Sequence, residues 1–104
     1  MKQLEVRLPH ELDQAEVRRR LDHGLQRART EFADKVTAID AIWETEERLR
    51  LDLLVMGLSI AGDIDVLAAE LVVRVELPMV AGLFAGRIRS GIEERLGGML
   101  QAPE

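Results

Sequence analysis

The sequence predicts a two-layer α+β domain: a five-stranded antiparallel sheet with two helices on one face, in the order β-α-β-β-β-β-α. Three observations carry that expectation. Apolar residues alternate with polar ones in short segments, the period-two pattern of half-buried strands. In the segments 13–35 and 78–100 they recur instead every three or four residues, the stripe of an amphipathic helix. The last four strand segments are joined by connections too short for a crossover, so they pair antiparallel.

The elements follow in order. Leu4, Val6 and Leu8 alternate with Glu5 and Arg7, and Pro9 ends the first strand. Asp13 is placed as an N-cap, with Glu16 three residues on completing a capping-box pattern. Val17, Leu21, Leu25, Ala28 and Phe32 then fall within one arc of the first helix. Gly24 lies at the edge of that arc, where a missing side chain favours close approach of helix to sheet. Ile39, Ala41 and Trp43 mark a short second strand, and Thr45–Arg48 a turn. Leu49, Leu51, Leu53 and Val55 form the third strand, Met56–Ser59 turns the chain, and Ile60, Gly62, Ile64 and Val66 form the fourth. Leu71, Val73, Val75 and Leu77 form the fifth. Pro78 suits the first position of a second helix, in which Val80, Phe84, Ile88, Ile92, Leu96 and Leu100 run at a spacing of four. Two such helices cover one sheet face. The expected core packs Val17, Leu21, Leu25, Phe32, Phe84, Ile88 and Ile92 on Leu51, Leu53, Ile64, Val73 and Val75.

A chain of 104 residues suits one domain, 1–104, with an ordered core over about 3–100. At 47% apolar and 32% charged its composition excludes wholesale disorder. With no cysteine, disulfides and thiolate chemistry are excluded. Residues 1–20 contain no apolar run of a signal peptide, and the apolar stretch Leu53–Ala69 is broken by Asp63 and Asp65, so no transmembrane segment is expected and the expected location is cytoplasmic. The net charge of −5 is uneven: 13–35 carries six basic and five acidic residues, whereas 36–77 carries three basic and nine acidic. Such an acidic chain argues against nucleic-acid binding.

Motifs for chemistry are few. Gly57-Leu58-Ser59-Ile60-Ala61 resembles a nucleophile elbow without its last glycine, but both flanks read as strands and His10 and His23 precede the serine. Asp63 and Asp65 share the outward face of one strand, where Arg50 or Arg74 would neutralise them. Glu44, Glu46 and Glu47 cluster at a turn. The histidines have no ligand spacing for zinc, and Gly57 and Gly62 lack the lysine of a phosphate loop. Gly82 and Gly86 copy a small-xxx-small motif, read here as close packing of a helix. The expectation is a non-enzyme with no catalytic, cofactor or metal residues. Two features suit docking instead: Arg19, Arg20, His23 and Arg27 on the back of the first helix, and Leu54, Val72 and Leu83, which point away from the core.

The order of elements resembles the polyhydroxyalkanoic acid system family. The resemblance rests on Trp43-Glu44 followed by Leu49-Arg50-Leu51, on Ala61-Gly62-Asp63-Ile64-Asp65-Val66, and on Val73-Arg74-Val75-Glu76-Leu77-Pro78 leading into Ile88, Ile92-Glu93-Glu94 and Leu96. Two departures are Leu67-Ala68-Ala69-Glu70, where the family has a glycine-containing acidic turn, and a longer turn after Trp43. The resemblance implies an accessory or granule-surface role in storage-polyester metabolism and carries over no catalytic residue; the scattered apolar residues and exposed arginines lead to the expectation of weak, salt-sensitive attachment to the granule surface through a granule coat protein. Two other readings stand beside it: a helix-grip domain binding a small hydrophobic ligand, and a module that homodimerises through the uncovered sheet face.

Overall fold

The computed structural model describes residues 2–31, 34, 36–55 and 57–101, with the side chains at 2, 36, 37, 80 and 81 excepted. Strand β1 (Lys2–Pro9) leads into helix α1 (Gln14–Glu31), followed by β2 (Val36–Trp43), β3 (Arg48–Val55), β4 (Leu58–Val66) and β5 (Glu70–Leu77). A 3-10 segment (Met79–Phe84) then passes into helix α2 (Ala85–Gln101). The strands form one antiparallel sheet in the order β1-β5-β4-β3-β2, so the first strand closes the sheet against the last.

Register decides which residues meet. Leu4, Val6 and Leu8 face Val75, Val73 and Leu71. Val73 and Leu71 face Ile64 and Val66 in turn, and Ile64 faces Leu49. This row forms the inner face, and Val17 and Leu21 of α1 and Leu100 of α2 close over it. Leu51 and Val75, placed in the expected core, are only half-buried, as is Leu53.

The helices approach from opposite ends. Asp13 precedes α1 as its N-cap residue, its carbonyl accepting from the Val17 N–H at 3.0 Å. Gln14 donates to the Val66 carbonyl at 2.9 Å, which fixes the start of α1 above β4. Farther on, Trp43 Nε1 donates to Asp22 at 3.0 Å, and the Arg18 guanidinium lies 4.4 Å over the Trp43 ring. Helix α2 begins beside Leu77, in a satellite core of Leu77, Ala85, Ile60, Val75 and Ile88. It ends where Arg20 donates to the Met99 carbonyl at 2.7 Å, satisfying an end carbonyl that has no partner within its own helix.

Four expectations change. The second helix does not start at Pro78: that residue caps a 3-10 segment, and the α-helix begins at Ala85. Phe84 consequently lies outside the core at 53% exposure, because the tighter winding turns it away and Ala85 occupies the sheet-facing position. Gly24 meets α2 rather than the sheet, since a side chain there would touch Met99 at 3.9 Å. Nothing packs within 4 Å of where a Gly86 side chain would stand, so Gly86 does not serve close helix packing. Phe32 lies outside the described residues.

Two glycines have conformational work. Gly57 takes φ 83° in the turn joining β3 to β4, the left-handed region that glycine enters without steric cost. At Gly62 a Cβ would come within 2.6 Å of the Arg74 carbonyl oxygen on β5. Gly62→Ala should therefore force β4 and β5 apart and cost about 1–3 kcal/mol. Gly91→Ala, where the added methyl meets nothing within 4 Å, should raise stability by about 0.5–1 kcal/mol. Urea unfolding of both variants checks the pair; a neutral Gly62→Ala would refute the proximity argument.

Candidate functional site

The outer sheet face carries the densest polar chemistry. Side chains that alternate away from the helices there are mostly charged, and register sets opposite signs beside one another. Arg48 lies opposite Asp65, and Arg74 lies opposite Asp63 on one side and Glu5 on the other. Arg74 Nη1 donates to Asp65 at 2.6 Å and to Asp63 at 3.1 Å, while its Nε stands 3.3 Å from Glu5. Arg48 grips Asp65 with two bonds of 2.8 and 3.0 Å. Arg7 extends the chain of pairs to Glu70 at 2.6 Å. Of the two arginines named as partners from sequence, Arg74 takes that role, whereas Arg50 turns to Asp52 at 3.5 Å.

The electrostatics follow. Hydrogen bonds from Arg48, reinforced by those from Arg74, hold the Asp65 carboxyl at about 2, below its ordinary 3.8 and against the opposing effect of burial. Bonds to Asp65, then to Asp63, push the Arg74 guanidinium up. Asp65 is thus a fixed anion at neutral pH, locked between two cations and unsuited to proton transfer.

The same pairs bury Val72. Expected as an exposed apolar residue, it does point away from the helices, yet it is 1% exposed. Its ladder neighbours are Arg7 and Asp65, and the Arg7–Glu70 and Arg74–Asp65 pairs close over it. Val72 offers no docking surface.

The basic residues of α1 are engaged as well. Glu16 binds Arg19 at 2.7 Å and Arg20 at 2.6 Å, and Arg27 pairs with Glu31 at 3.1 Å. Arg20, with its side chain 11% exposed, is a tie between the helices rather than part of an open patch. His23 is exposed.

Ser59 sits near the start of β4, on a hairpin rather than at a strand-to-helix turn. His10 docks beyond the opposite end of that strand, at Leu67, away from Ser59. There its Nε2 donates to the Leu67 carbonyl at 3.0 Å while its Nδ1 accepts from the Leu12 N–H at 3.1 Å. That pair of hydrogen bonds, one to the distant Leu67 and one to the neighbouring Leu12, was not legible in sequence. A concavity of about 450 Å³ opens on the outer face near Ser59, floored by Ala38 and Ala61 and bordered by Asp40, Asp52 and Glu76. Among the described residues no group of three or more histidines and carboxylates is arranged to hold a metal ion, and no helix is long and apolar enough to cross a membrane.

The remaining feature is apolar. Met79, Leu83 and Phe84 project from the 3-10 segment, with Met79 at 83% and Leu83 at 88% exposure. Leu54 and Ile42 are exposed separately, on the outer sheet face. Leu83 was the only member of the corner picked out from the sequence; Phe84 was missed because the helical pattern placed it inward, and Met79 was assigned to neither face.

Stability should depend on Asp65 with a definite sign. A carboxyl whose folded value lies below its unfolded one stabilises fully above the unfolded value near 3.8, and loses that contribution as pH falls towards 2. The difference is worth about 2 kcal/mol at neutral pH. Asp65→Asn should lower stability by about 1–3 kcal/mol at pH 7. It should also flatten the decline of the urea midpoint between about pH 4 and pH 2; equally steep declines would show that Asp65 does not anchor the ladder.

Comparison with known proteins completes the picture. A search of curated proteins finds no match. Among solved structures the chain is similar to the crystal structure of Ara h 8.0201, at 9% identity over 97% of this chain and 99% of that chain, with a TM-score of 0.42. The family described as "Putative polyhydroxyalkanoic acid system protein" matches residues 4–100. With nearly the whole domain matched, the chain belongs to the polyhydroxyalkanoic acid system family.

Proposed function

We propose that this protein is a non-enzymatic accessory protein of polyhydroxyalkanoate metabolism that attaches to the storage-granule surface through its 3-10 corner. The observation that carries the reading is the grouping of Met79, Leu83 and Phe84 as exposed apolar side chains on a member of this family. Burying one such side chain contributes about 1.5–3 kcal/mol. An exposed ion pair contributes only about 0–1 kcal/mol and weakens with salt, so the helix arginines, already paired with Glu16 and Glu31, are the weaker route. The ladder favours a non-catalytic role too, because its carboxylates and guanidiniums satisfy one another.

The grip and dimer readings gain less. The space that a grip would enclose is occupied by Val17, Leu21, Leu49, Ile64 and Leu71, all buried. A dimer through the outer sheet face would have to desolvate the ion-pair ladder, which costs more than its exposed pairs return.

Co-sedimentation with purified granules, with and without their coat proteins and at low and high salt, tests the proposal. The wild type should pellet with native granules, and a Leu83→Ser, Phe84→Ser double variant should stay in the supernatant. An Arg19→Gln, Arg27→Gln variant should pellet normally. Failure of the wild type to bind under every condition, or loss of binding only in the arginine variant, would overturn the reading.

A further inference from the structure

The corner that this proposal uses has a charge as well as a shape. Residues 78–92 contain two arginines, Arg87 and Arg89, and no carboxylate, in a chain whose net charge is −5. Both arginines are exposed, and among the described residues neither forms an ion pair, a hydrogen bond or a ring contact, whereas Arg18 lies over the Trp43 ring, Arg29 donates to the Ile39 carbonyl, and Arg7, Arg19, Arg20, Arg27, Arg48, Arg50 and Arg74 are ion-paired. Arg87 follows Leu83 by four positions and Phe84 by three, the spacings that bring helical side chains onto one side. An apolar tip and a free cation therefore stand together.

Rigidity and size point the same way. Buried Leu77 and Ala85 flank the segment and anchor both its ends to the satellite core, so the tip is held out rather than free to fold back. Met79, Leu83 and Phe84 expose on the order of 400 Å² between them. A stable protein–protein interface covers roughly 800 Å² per partner, so the tip is too small to seat a second copy of the chain. It is large enough to enter the boundary between headgroups and acyl chains, where apolar side chains insert and neighbouring cations meet anionic headgroups.

We infer that the 3-10 corner is an interfacial anchor for an anionic phospholipid surface, with Met79, Leu83 and Phe84 inserting and Arg87 meeting the headgroup phosphates. The inference rests on the granule-surface reading for its setting, but it names the chemistry that the corner contacts.

Vesicle sedimentation tests it directly, using large vesicles of phosphatidylcholine alone and of equal parts phosphatidylcholine and phosphatidylglycerol. The wild type should bind the anionic vesicles at low salt at least about tenfold more tightly than the neutral ones. Leu83→Ser with Phe84→Ser should abolish binding to both. Arg87→Gln should remove most of the preference for the anionic vesicles. Ile42→Ser, at an apolar residue exposed on the sheet, should bind as the wild type does. All substituted positions are exposed, and unchanged thermal midpoints will show that the variants fold. Equal affinity for both vesicles, or equal loss in Ile42→Ser, would overturn the anchor. If vesicles do not bind while native granules still do, the lipid inference falls, the granule reading stands, and a coat protein becomes the corner's partner. If neither binds, both fall.

Discussion

Two helices of 18 and 17 residues can cover only one face of a five-stranded sheet, and the rest of the molecule follows from that constraint. The uncovered face must remain wet without exposing a broad apolar surface that would invite association. The chain meets the requirement with charge placed by register. Arg74 sits between Glu5 and the Asp63–Asp65 pair, and Arg48 closes the ladder on the far side of Asp65. Each single pair is weak, but a network in which one arginine serves three carboxylates orders fewer side chains per contact than separate pairs do.

That arrangement divides the surface into satisfied and unsatisfied parts. On the outer sheet, acids and bases answer one another and even cover Val72. On α1, Glu16 and Glu31 take Arg19, Arg20 and Arg27, while Arg18 lies over the Trp43 ring and Arg29 donates to the Ile39 carbonyl. His10 and Arg20 spend their polar atoms on the backbone of distant turns and helix ends, joining β1 to the turn before β5 and α1 to the end of α2. The 3-10 corner differs on both counts: Met79, Leu83 and Phe84 are exposed, and among the described residues Arg87 and Arg89 beyond it pair with no carboxylate. Surfaces that meet a partner carry such unsatisfied groups, whereas surfaces that meet only water do not need them.

The strand order of the chain was legible because one face of the sheet is buried, which imposes period two on every strand. Helix α1 was legible because Val17 and Leu21 sit on a strict helical stripe. Phe84 was not, for a geometric reason. A 3-10 turn rotates about 120° per residue instead of about 100°, so four residues after Val80 the side chain direction departs by roughly 80° from the α-helical expectation. Val72 was correctly assigned to the outer face, but its burial depends on cross-strand neighbours that a single strand does not reveal. Arg20 lies on the back of α1, as the helical wheel indicates; the end of α2 reaches it only through the tertiary fold. The docking corner was legible only in part, through Leu83 alone, since the exposure of Phe84 follows from that same change of winding.

Hydrogen exchange of the protein free and bound to native granules tests most directly the claim that the corner is the attachment surface. The account predicts added amide protection over residues 79–91, with the ladder strands β3, β4 and β5 exchanging as they do in the free protein. Protection concentrated in those strands or along α1, with 79–91 unchanged, would contradict it.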